Sequence, residues 1–210
     1  VLESFFDVLV VDAPCSGSGL FRRDPEAIGE WSLNNVQLCS QRQQRILADC
    51  WPALKENGLL IFSTCSYSRE EDEEIMDWLQ QELDAENCPL KINEQWGIQE
   101  TASPGGNLGY RFWPDKVKGE GFFLACFRKR NGEDPGHIKP KKQPERATRV
   151  EKEYVNRWMD TSGKELIKYQ QTVYAWPEDQ FHDFSVLLEK MKVVYSGVKS
   201  GELMRDKLVP

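Results

Sequence analysis

Two runs of apolar residues constrain the fold of this chain more than any other feature. The first is FFDVLVV at residues 5–11, and the second is LLIFSTC at residues 59–65. Both are apolar at almost every position, a pattern typical of strands covered on both faces in a mainly parallel sheet. Between them, residues 37–57 carry apolar side chains at helical spacing, and Gly58 is expected to end that helix. The sequence therefore predicts a strand–helix–strand unit with parallel strands.

A second helix is predicted just after the second strand. Ser68 and Glu71 have the spacing of a capping box, in which each side chain bonds to the other residue's backbone N–H. The apolar residues that follow recur at intervals of three and four and form one face: Ile75, Trp78, Leu79 and Leu83. Strands that alternate with helices indicate an α/β domain.

The remainder of the chain has a different composition. Residues 103–121 are rich in glycine and proline and are expected to form a long loop that leads into a strand at 122–127. The C-terminal part carries shorter patterns, which predict a strand at 172–176, a helix over the apolar positions 181–191 and a strand at 192–196. Together these patterns predict an α/β domain at 1–130, a basic linker at 131–150 and a small α+β domain at 151–210.

The distribution of charge sets the predicted linker apart. The 210 residues carry a net charge of −7, whereas residues 137–158 hold seven Lys or Arg against three Glu, a local excess of 7 − 3 = +4. A basic segment of this kind either follows a nucleic-acid backbone or serves as a solvated linker. The sequence leaves both readings open.

Several classes of protein are disfavoured by composition. The six cysteines form no CxxC pair and no dense secreted pattern, and His137 and His182 have no partners at metal-ligand spacing. The first residues lack a basic segment, and the chain contains no eighteen consecutive apolar residues. We therefore expect a cytoplasmic protein that binds no metal and does not associate with a membrane.

The two predicted strands each lead to a cysteine, Cys15 and Cys65, with Asp12 and Pro14 beside the first. A single cysteine at a strand end is more often a buried packing residue, as we expect for the other four. In an open α/β sheet, however, ligands bind outside the carboxyl ends of the strands, where both cysteines are predicted. A thiolate at that place is a strong nucleophile that needs only moderate activation.

One expected cofactor signal is missing. Gly17 and Gly19 follow Cys15, but Arg22 stands where a dinucleotide fingerprint has its third glycine, and no helix signal begins at that turn. The chain is therefore expected to be the second half of an α/β domain that lacks its cofactor-binding half. Its first strand would expose an edge, through which self-association is expected.

Two segments resemble the cysteine motifs of the Nol/Nop/Sun family of RNA cytosine-5 methyltransferases. They are DAPCSGSGLFRRDP at residues 12–25 and STCSYSREEDEE at residues 63–74. YRFWPDKVKGEGFFLACFRK, at 110–129, resembles the last catalytic segment of that family, and the C-terminal part resembles the extra domain of its bacterial ribosomal-RNA members. The chain departs from the family at residues 69–72, where Arg-Glu-Glu-Asp replaces Pro-Glu-Glu-Asn, and at Asp115, where a histidine is common.

The resemblance implies a Rossmann-like, S-adenosylmethionine-dependent methyltransferase that acts on RNA, most simply ribosomal RNA. It implies that Cys65 attacks carbon 6 of cytosine and that Cys15 assists release of the product. Asp12 would contact the cofactor or the base, and Pro14 would contact the cofactor. A base that reacts in this way must leave its stack, which costs less in unpaired RNA.

Three further residues are candidates for RNA contacts: Arg22, Arg23 and Arg111. Two alternatives to the methyltransferase remain open, a non-catalytic RNA-binding or scaffold protein of the same fold and a thiol redox or acyl-transfer enzyme that uses Cys15 and Cys65. The second of these lacks a CxxC motif and a well-placed histidine base. Because the cofactor signal is missing, we expect these 210 residues alone to be inactive.

Overall fold

The computed structural model divides the chain into two compact units, residues 1–135 and 136–210. It describes residues 2–132, 138, 140–141, 143–194, 197–204 and 207–210. Predictions that involve His137, Lys139 and Lys142 lie outside the described residues. Within the described ranges, no helix is long and apolar enough to span a membrane.

The first unit is built on a six-stranded mixed sheet. Its strands are β1 (Phe6–Asp12), β2 (Leu54–Thr64), β3 (Ala85–Asn87), β4 (Gln99–Ala102), β5 (Leu108–Phe112) and β6 (Phe122–Lys129). The order is β1-β2-β6-β5-β4, with β3 paired to β6. β1 and β2 are parallel and pair Asp12 with Ser63, whereas β6 runs antiparallel to β2. The predicted parallel pair is confirmed, and the carboxyl ends of β1 and β2 lie side by side.

The helices of this unit are α1 (Glu26–Glu30), α2 (Leu33–Cys50) and α3 (Glu73–Leu83). The predicted end of α2 at Gly58 is wrong. The helix ends at Cys50, because Pro52 has no N–H with which to continue it, and Gly58 lies inside β2. Asn57, not Gly58, adopts the left-handed conformation, with φ 60°.

The core lies between the sheet and the helices. Ile75 and Leu79 of α3 are fully buried, and Trp78 and Leu83 pack at the margin, as the spacing predicted. They contact a cluster from the strands and from α2 that includes Leu47, Leu60, Phe62, Phe123 and Phe127. The helix in this way fixes the position of the turn that precedes it.

The segment predicted as a long loop at 103–121 contains a strand. Residues 108–112 form β5, which pairs with both β4 and β6. The glycine-rich composition concealed this strand: Gly109 lies under the ring of Phe123, where a Cβ would approach the ring to 2.6 Å. Glycine here permits close packing and does not mark a turn.

β1 lies at the edge of the sheet. Val8 is 51% exposed and Val10 is 64% exposed, so the expectation that both faces of this strand are covered is wrong for the described residues. An apolar strand with a bare face and a bare edge is a surface that favours association. Self-association through it stays a prediction.

The second unit is a five-stranded antiparallel sheet with two helices. Its strands are β7 (Glu145–Arg146), β8 (Lys164–Tyr169), β9 (Thr172–Pro177), β10 (Val198–Met204) and β11 (Lys207–Val209), in the order β11-β10-β9-β8-β7. The helices are α4 (Arg149–Val155) and α5 (Phe181–Lys190). The predicted strand at 172–176 and the helix after it are confirmed. The predicted strand at 192–196 is wrong for residues 192–194; residues 195–196 lie outside the described residues.

β7 lies inside the range predicted as a linker, because residues 145 and 146 pair with β8. Two small apolar clusters hold this unit, one around Leu166 and Val173 and the other around Phe181 and Phe184. The domain limits 1–130, 131–150 and 151–210 otherwise stay predictions.

Candidate active site

The two candidate cysteines meet at the carboxyl ends of β1 and β2. Cys15 follows β1 by three residues and Cys65 directly follows β2. Their Sγ atoms lie 3.0 Å apart, although fifty residues separate them in the chain. Both side chains are half-buried, so one thiol can donate a hydrogen bond to the other while solvent still reaches the pair.

This contact divides the two thiols electrostatically. The hydrogen bond from Cys15 lowers the pKa of Cys65 to about 7, against burial and the charges of Asp12 and Glu71, which raise it. The same hydrogen bond and burial raise the pKa of Cys15. Near neutral pH Cys65 is therefore partly ionised, whereas Cys15 keeps its proton.

Three other cysteines show the opposite effect. Burial raises the pKa of Cys39, Cys50 and Cys126, so these thiols stay protonated at neutral pH. In the described part of the chain, no group of three or more His, Cys, Asp or Glu side chains is arranged to hold a metal ion.

A glycine allows close contact between the loop after β1, which carries Cys15, and the loop after β2, which carries Cys65. We call these the first and the second cysteine loop. The Gly19 N–H donates to the Cys65 carbonyl oxygen at 2.7 Å, and the Gly121 N–H donates to the Gly19 carbonyl at 3.1 Å. A Cβ at position 19 would overlap the Cys65 carbonyl oxygen and lie 2.7 Å from that of Gly121. Gly17, just before, adopts the left-handed conformation with φ 78°. The GSG sequence is therefore a close-approach loop and not part of a dinucleotide fingerprint.

Glu71 is buried directly behind the cysteine pair. Its carboxylate accepts hydrogen bonds from the Ser16 N–H, the Ser16 hydroxyl and the Ser66 hydroxyl, each at 2.6 Å. The capping box predicted for Ser68 and Glu71 is wrong, since Ser68 makes no side-chain cap bond and the Glu71 carboxylate is already used. The spacing of Ser68 and Glu71 suggested a helix cap, but the partners of the Glu71 carboxylate are Ser16 and Ser66. No local sequence pattern indicates the contact with Ser16.

Asp12 and Pro14 lie in the same open cleft as the thiols. The cleft has a volume of about 840 Å³, and Cys15, Cys65 and Arg23 also line it. The Ser63 hydroxyl donates to Asp12 Oδ1 at 3.0 Å and so orients this carboxylate. Sequence reasoning missed this serine, which faces Asp12 across the paired strands.

Gln43 of α2 holds the first cysteine loop through a hydrogen bond to its backbone. Its side chain is fully buried, and its Nε2 donates to the Pro14 carbonyl oxygen at 3.0 Å. The helical spacing used to predict α2 counted only apolar residues and therefore missed a glutamine on the inner face. Arg42, the preceding residue, lines the cleft together with Glu120.

The structure separates the three arginines predicted to contact RNA. Arg23 is exposed at the cleft. Arg22 is 57% exposed but donates to the Gly119 carbonyl at 2.5 Å and forms an ion pair with Glu120 at 3.4 Å. It therefore ties the first cysteine loop to the loop before β6.

Arg111 has a structural position. Its side chain is 7% exposed, and its Nε and Nη2 donate to the Glu73 carboxylate at 2.8 and 2.5 Å. Nη2 also lies 3.1 Å from Asp72 Oδ2. Burial raises the pKa of Asp72, and Arg111 opposes this effect. A guanidinium buried in this way is a poor partner for a phosphate, so the predicted RNA contact does not fit the structure.

Three comparisons with known proteins agree with one another. The family described as 16S rRNA methyltransferase RsmB/F matches residues 1–128. Two similar proteins are each named ribosomal RNA small subunit methyltransferase F. That of Shewanella piezotolerans is 27% identical over 95% of this chain and 44% of its own length, and that of Shewanella sp. strain MR-4 is 30% identical over 96% and 43%. The crystal structure of PH0851 superposes with a TM-score of 0.53 at 27% identity, over 60% of this chain and 27% of its own. The chain thus spans less than half the length of these relatives.

Proposed function

This chain belongs to the RsmB/F family of 16S rRNA methyltransferases, as its cysteine motifs predicted, and we propose that it supplies the thiol site of an enzyme that methylates carbon 5 of cytosine in ribosomal RNA. One observation carries the proposal: two thiols lie 3.0 Å apart in an open cleft at the carboxyl ends of parallel strands. Adjacent strand ends in an open α/β sheet are where such folds bind their ligands.

Cys65 is the nucleophile of this proposal. Its thiolate adds to carbon 6 of the cytosine, and the electron pair of the 5,6 double bond becomes available at carbon 5. Carbon 5 is thereby able to accept a methyl group, which S-adenosylmethionine supplies when bound. A water molecule in the open cleft then takes the proton on carbon 5, and its electron pair restores the double bond and expels the Cys65 thiolate. Attack by a thiolate with a pKa near 7 needs no separate general base at neutral pH.

Cys15 keeps a proton within reach of Cys65. It keeps that proton because its pKa is raised, and its contact with the Cys65 sulfur lets it donate a hydrogen bond that would stabilise the departing thiolate and favour release of the product. In the same cleft, the Asp12 carboxylate would face either the base or the positively charged cofactor, and Pro14 would form part of the cofactor wall. Arg23, at the rim, would bind a phosphate near the target base.

The described residues fit part of a site for S-adenosylmethionine. Asp12 places an exposed carboxylate in the cleft, where it would attract the sulfonium charge. A glycine-rich turn between a strand and a helix, which usually holds the remainder of such a cofactor, is not present among these 210 residues. We therefore propose that activity requires further residues of the kind that the longer relatives contain.

The attacking thiol is tested by covalent trapping. Small-subunit ribosomal RNA that contains 5-azacytosine is incubated with the intact polypeptide and S-adenosylmethionine, because addition to this ring is not readily followed by release. We expect a stable adduct on Cys65 that is lost in Cys65→Ala and kept in Cys50→Ala, a matched thiol outside the cleft. Full adduct formation by Cys65→Ala would exclude this assignment, and no adduct in any variant would favour a non-catalytic RNA-binding protein.

Cys15 is tested with ordinary cytosine. Cys15→Ala removes the hydrogen-bond donor to the departing thiolate but leaves the nucleophile, so we expect the protein–RNA adduct to accumulate with normal RNA while methylated product falls. Gel electrophoresis under denaturing conditions measures the adduct. A variant that turns over at the normal rate without adduct would show that Cys15 has no part in release.

The cofactor is tested by calorimetric titration of the 210 residues with S-adenosylmethionine. Two or three missing charge-assisted hydrogen bonds, each worth roughly 1.5 to 3 kcal/mol, weaken binding from about micromolar toward millimolar. Micromolar binding would mean that Asp12, Pro14 and their neighbours form the whole cofactor site.

A further inference from the structure

Glu71 is a buried carboxylate that the proposed chemistry does not use. It is 0% exposed, and its partners are Ser16 and Ser66, the residues that directly follow Cys15 and Cys65. A single carboxylate therefore holds both cysteine loops at equivalent positions. We propose that Glu71 is a positioning residue that sets the contact between the Cys15 and Cys65 sulfurs.

The chemistry of the contact requires a carboxylate at position 71. Three donors point at it: the Ser16 N–H, the Ser16 hydroxyl and the Ser66 hydroxyl. Only an ionised carboxylate offers two oxygens that accept and no hydrogen that donates. A glutamine would turn its NH₂ group either toward the Ser16 N–H or toward the two serine hydroxyls, so at least one of the three hydrogen bonds would be lost. Hydrogen bonds to an ionised acceptor are also the stronger kind.

The carboxylate itself is fixed by the fold. Glu71 ends a single 3₁₀ turn at Arg69–Glu71, immediately before α3, whose residues Ile75 and Leu79 are fully buried in the core. The Ser66 hydroxyl also accepts from the Ser68 N–H at 3.0 Å, which joins this turn to the second cysteine loop. Because Glu71 is attached to a packed helix, that helix and not a free loop fixes the position of the cysteine pair.

The loops are joined at a second point as well. The Ser18 hydroxyl accepts from the Tyr67 N–H at 2.8 Å and lies 3.4 Å from the Ser66 hydroxyl. The carboxylate and the three serine hydroxyls of this group are buried, so their hydrogen bonds act in a medium of low dielectric: Glu71, Ser16, Ser18 and Ser66. A change at Glu71 is therefore expected to move both loops together.

The charge of Glu71 acts against its geometric role. A negative charge near Cys65 raises the pKa of that thiol, while the hydrogen bond from Cys15 lowers it. The two roles predict opposite outcomes for Glu71→Gln. If only charge matters, Cys65 becomes more reactive toward iodoacetamide; if Glu71 sets the Cys15–Cys65 contact, Cys65 becomes less reactive.

The direct test measures how readily the two thiols cross-link. Diamide takes two electrons and two protons from the pair as one S–S bond forms. Because the second sulfur must reach the first for that bond to form, the rate depends on the sulfur–sulfur distance. Because a displacement of about 1 Å can change such rates up to 10²-fold, we expect Glu71→Gln to slow cross-linking about tenfold or more and to slow alkylation of Cys65. An unchanged cross-linking rate, or faster alkylation, would overturn the proposal.

Two controls separate positioning from stability. Glu74→Gln removes an exposed carboxylate from the next turn and should leave the rate unchanged. Ile75→Val loosens the core at the start of α3 without touching either serine, so it should lower the melting temperature but not the cross-linking rate. A rate that falls with stability in Ile75→Val would assign the effect to general loosening.

Serine variants keep the test decisive if Glu71→Gln does not fold. Ser66→Ala removes one of the three donors and should slow cross-linking less than Glu71→Gln. In the double variant the serine change should add nothing further, since both act through one contact. Additive effects would show that Glu71 does not act through Ser66.

The consequence for catalysis rests on the proposed function. In the intact enzyme we expect Glu71→Gln to lower kcat while the KM for RNA stays unchanged, because the residue lies behind the thiols and not at the RNA surface. Glu71→Asp, which keeps two accepting oxygens, should restore part of kcat. Cross-linking that depends on Glu71 in a protein without methyltransferase activity would remove the proposed function and leave the positioning role intact.

Discussion

The two units of this protein place their charged side chains differently. In residues 1–135, four charged residues form a group behind the cysteine loops, and all four are buried: Glu71, Asp72, Glu73 and Arg111. In the described part of residues 136–210, the ion pairs are more exposed, from Lys168–Glu151 with side chains 15% and 16% exposed to Arg149–Glu153 with side chains 92% and 63% exposed.

This difference indicates where position matters most. A buried charge that loses its partner is strongly unfavourable, so a buried group holds its members in one arrangement. An exposed pair exchanges readily with water and contributes little. The buried group of the first unit therefore holds its atoms in one arrangement, whereas an exposed cation of the second unit such as Arg149 can change partners.

The largest effect is expected from Arg111→Met. It leaves Glu73 and Asp72 buried without their cation, and the free energy of unfolding of the first unit should fall by about 3–5 kcal/mol. Hydrogen exchange of the α3 amides measures this change within one unit. The matched variant Arg149→Met in the second unit should cost at most about 0.5 kcal/mol there. Equal losses of unfolding free energy in the two units would show that buried and exposed ion pairs do not differ here.

A smaller effect is expected from Gly19→Ala. The added Cβ overlaps the Cys65 carbonyl oxygen, so we expect a loss of about 1–3 kcal/mol and a slower reaction of Cys65 with iodoacetamide. Gly29→Ala is the control, because a Cβ there meets nothing within 4 Å and the residue lies in α1, where alanine is favoured by about 0.5–1 kcal/mol. If both variants gain stability, the contact between the cysteine loops is looser than the structure indicates.

The smallest effect concerns the basic side chains of the second unit. If Arg149 and Arg157 exchange their present partners for phosphates, glutamine at both positions should weaken RNA binding modestly. The slope of log K against log salt should fall by about one per lost contact. Arg157 now lies over the ring of Tyr154 at 4.6 Å, and Arg149 pairs with Glu153. A slope that does not change would show that neither Arg149 nor Arg157 binds a phosphate.

Much of the frame of the first unit was predictable from local patterns. Apolar periodicity predicted β2, α2, α3 and β6, and the strand pattern predicted the parallel pair β1–β2. Two of the failures have a common cause, because Gly58 and the glycine-rich segment around Gly109 were interpreted as turn or loop although both glycines lie within strands. The sequence does not show whether a glycine bends the chain or makes room for a neighbouring side chain, because this depends on the residues packed against it.

The sequence by itself determined that two cysteines would stand at the ends of two adjacent strands, because strand length and parallel pairing follow from the order of side chains along the chain. Only the tertiary structure decided that Glu71 would join the loops, that Arg111 would be buried and that Cys65 would be the more acidic thiol. Each of these depends on contacts between residues far apart in the chain, such as Ser16 with Glu71 at a separation of 55. Hydrogen bonds and desolvation act over a few ångströms of space, and separation along the chain does not reveal which groups will meet.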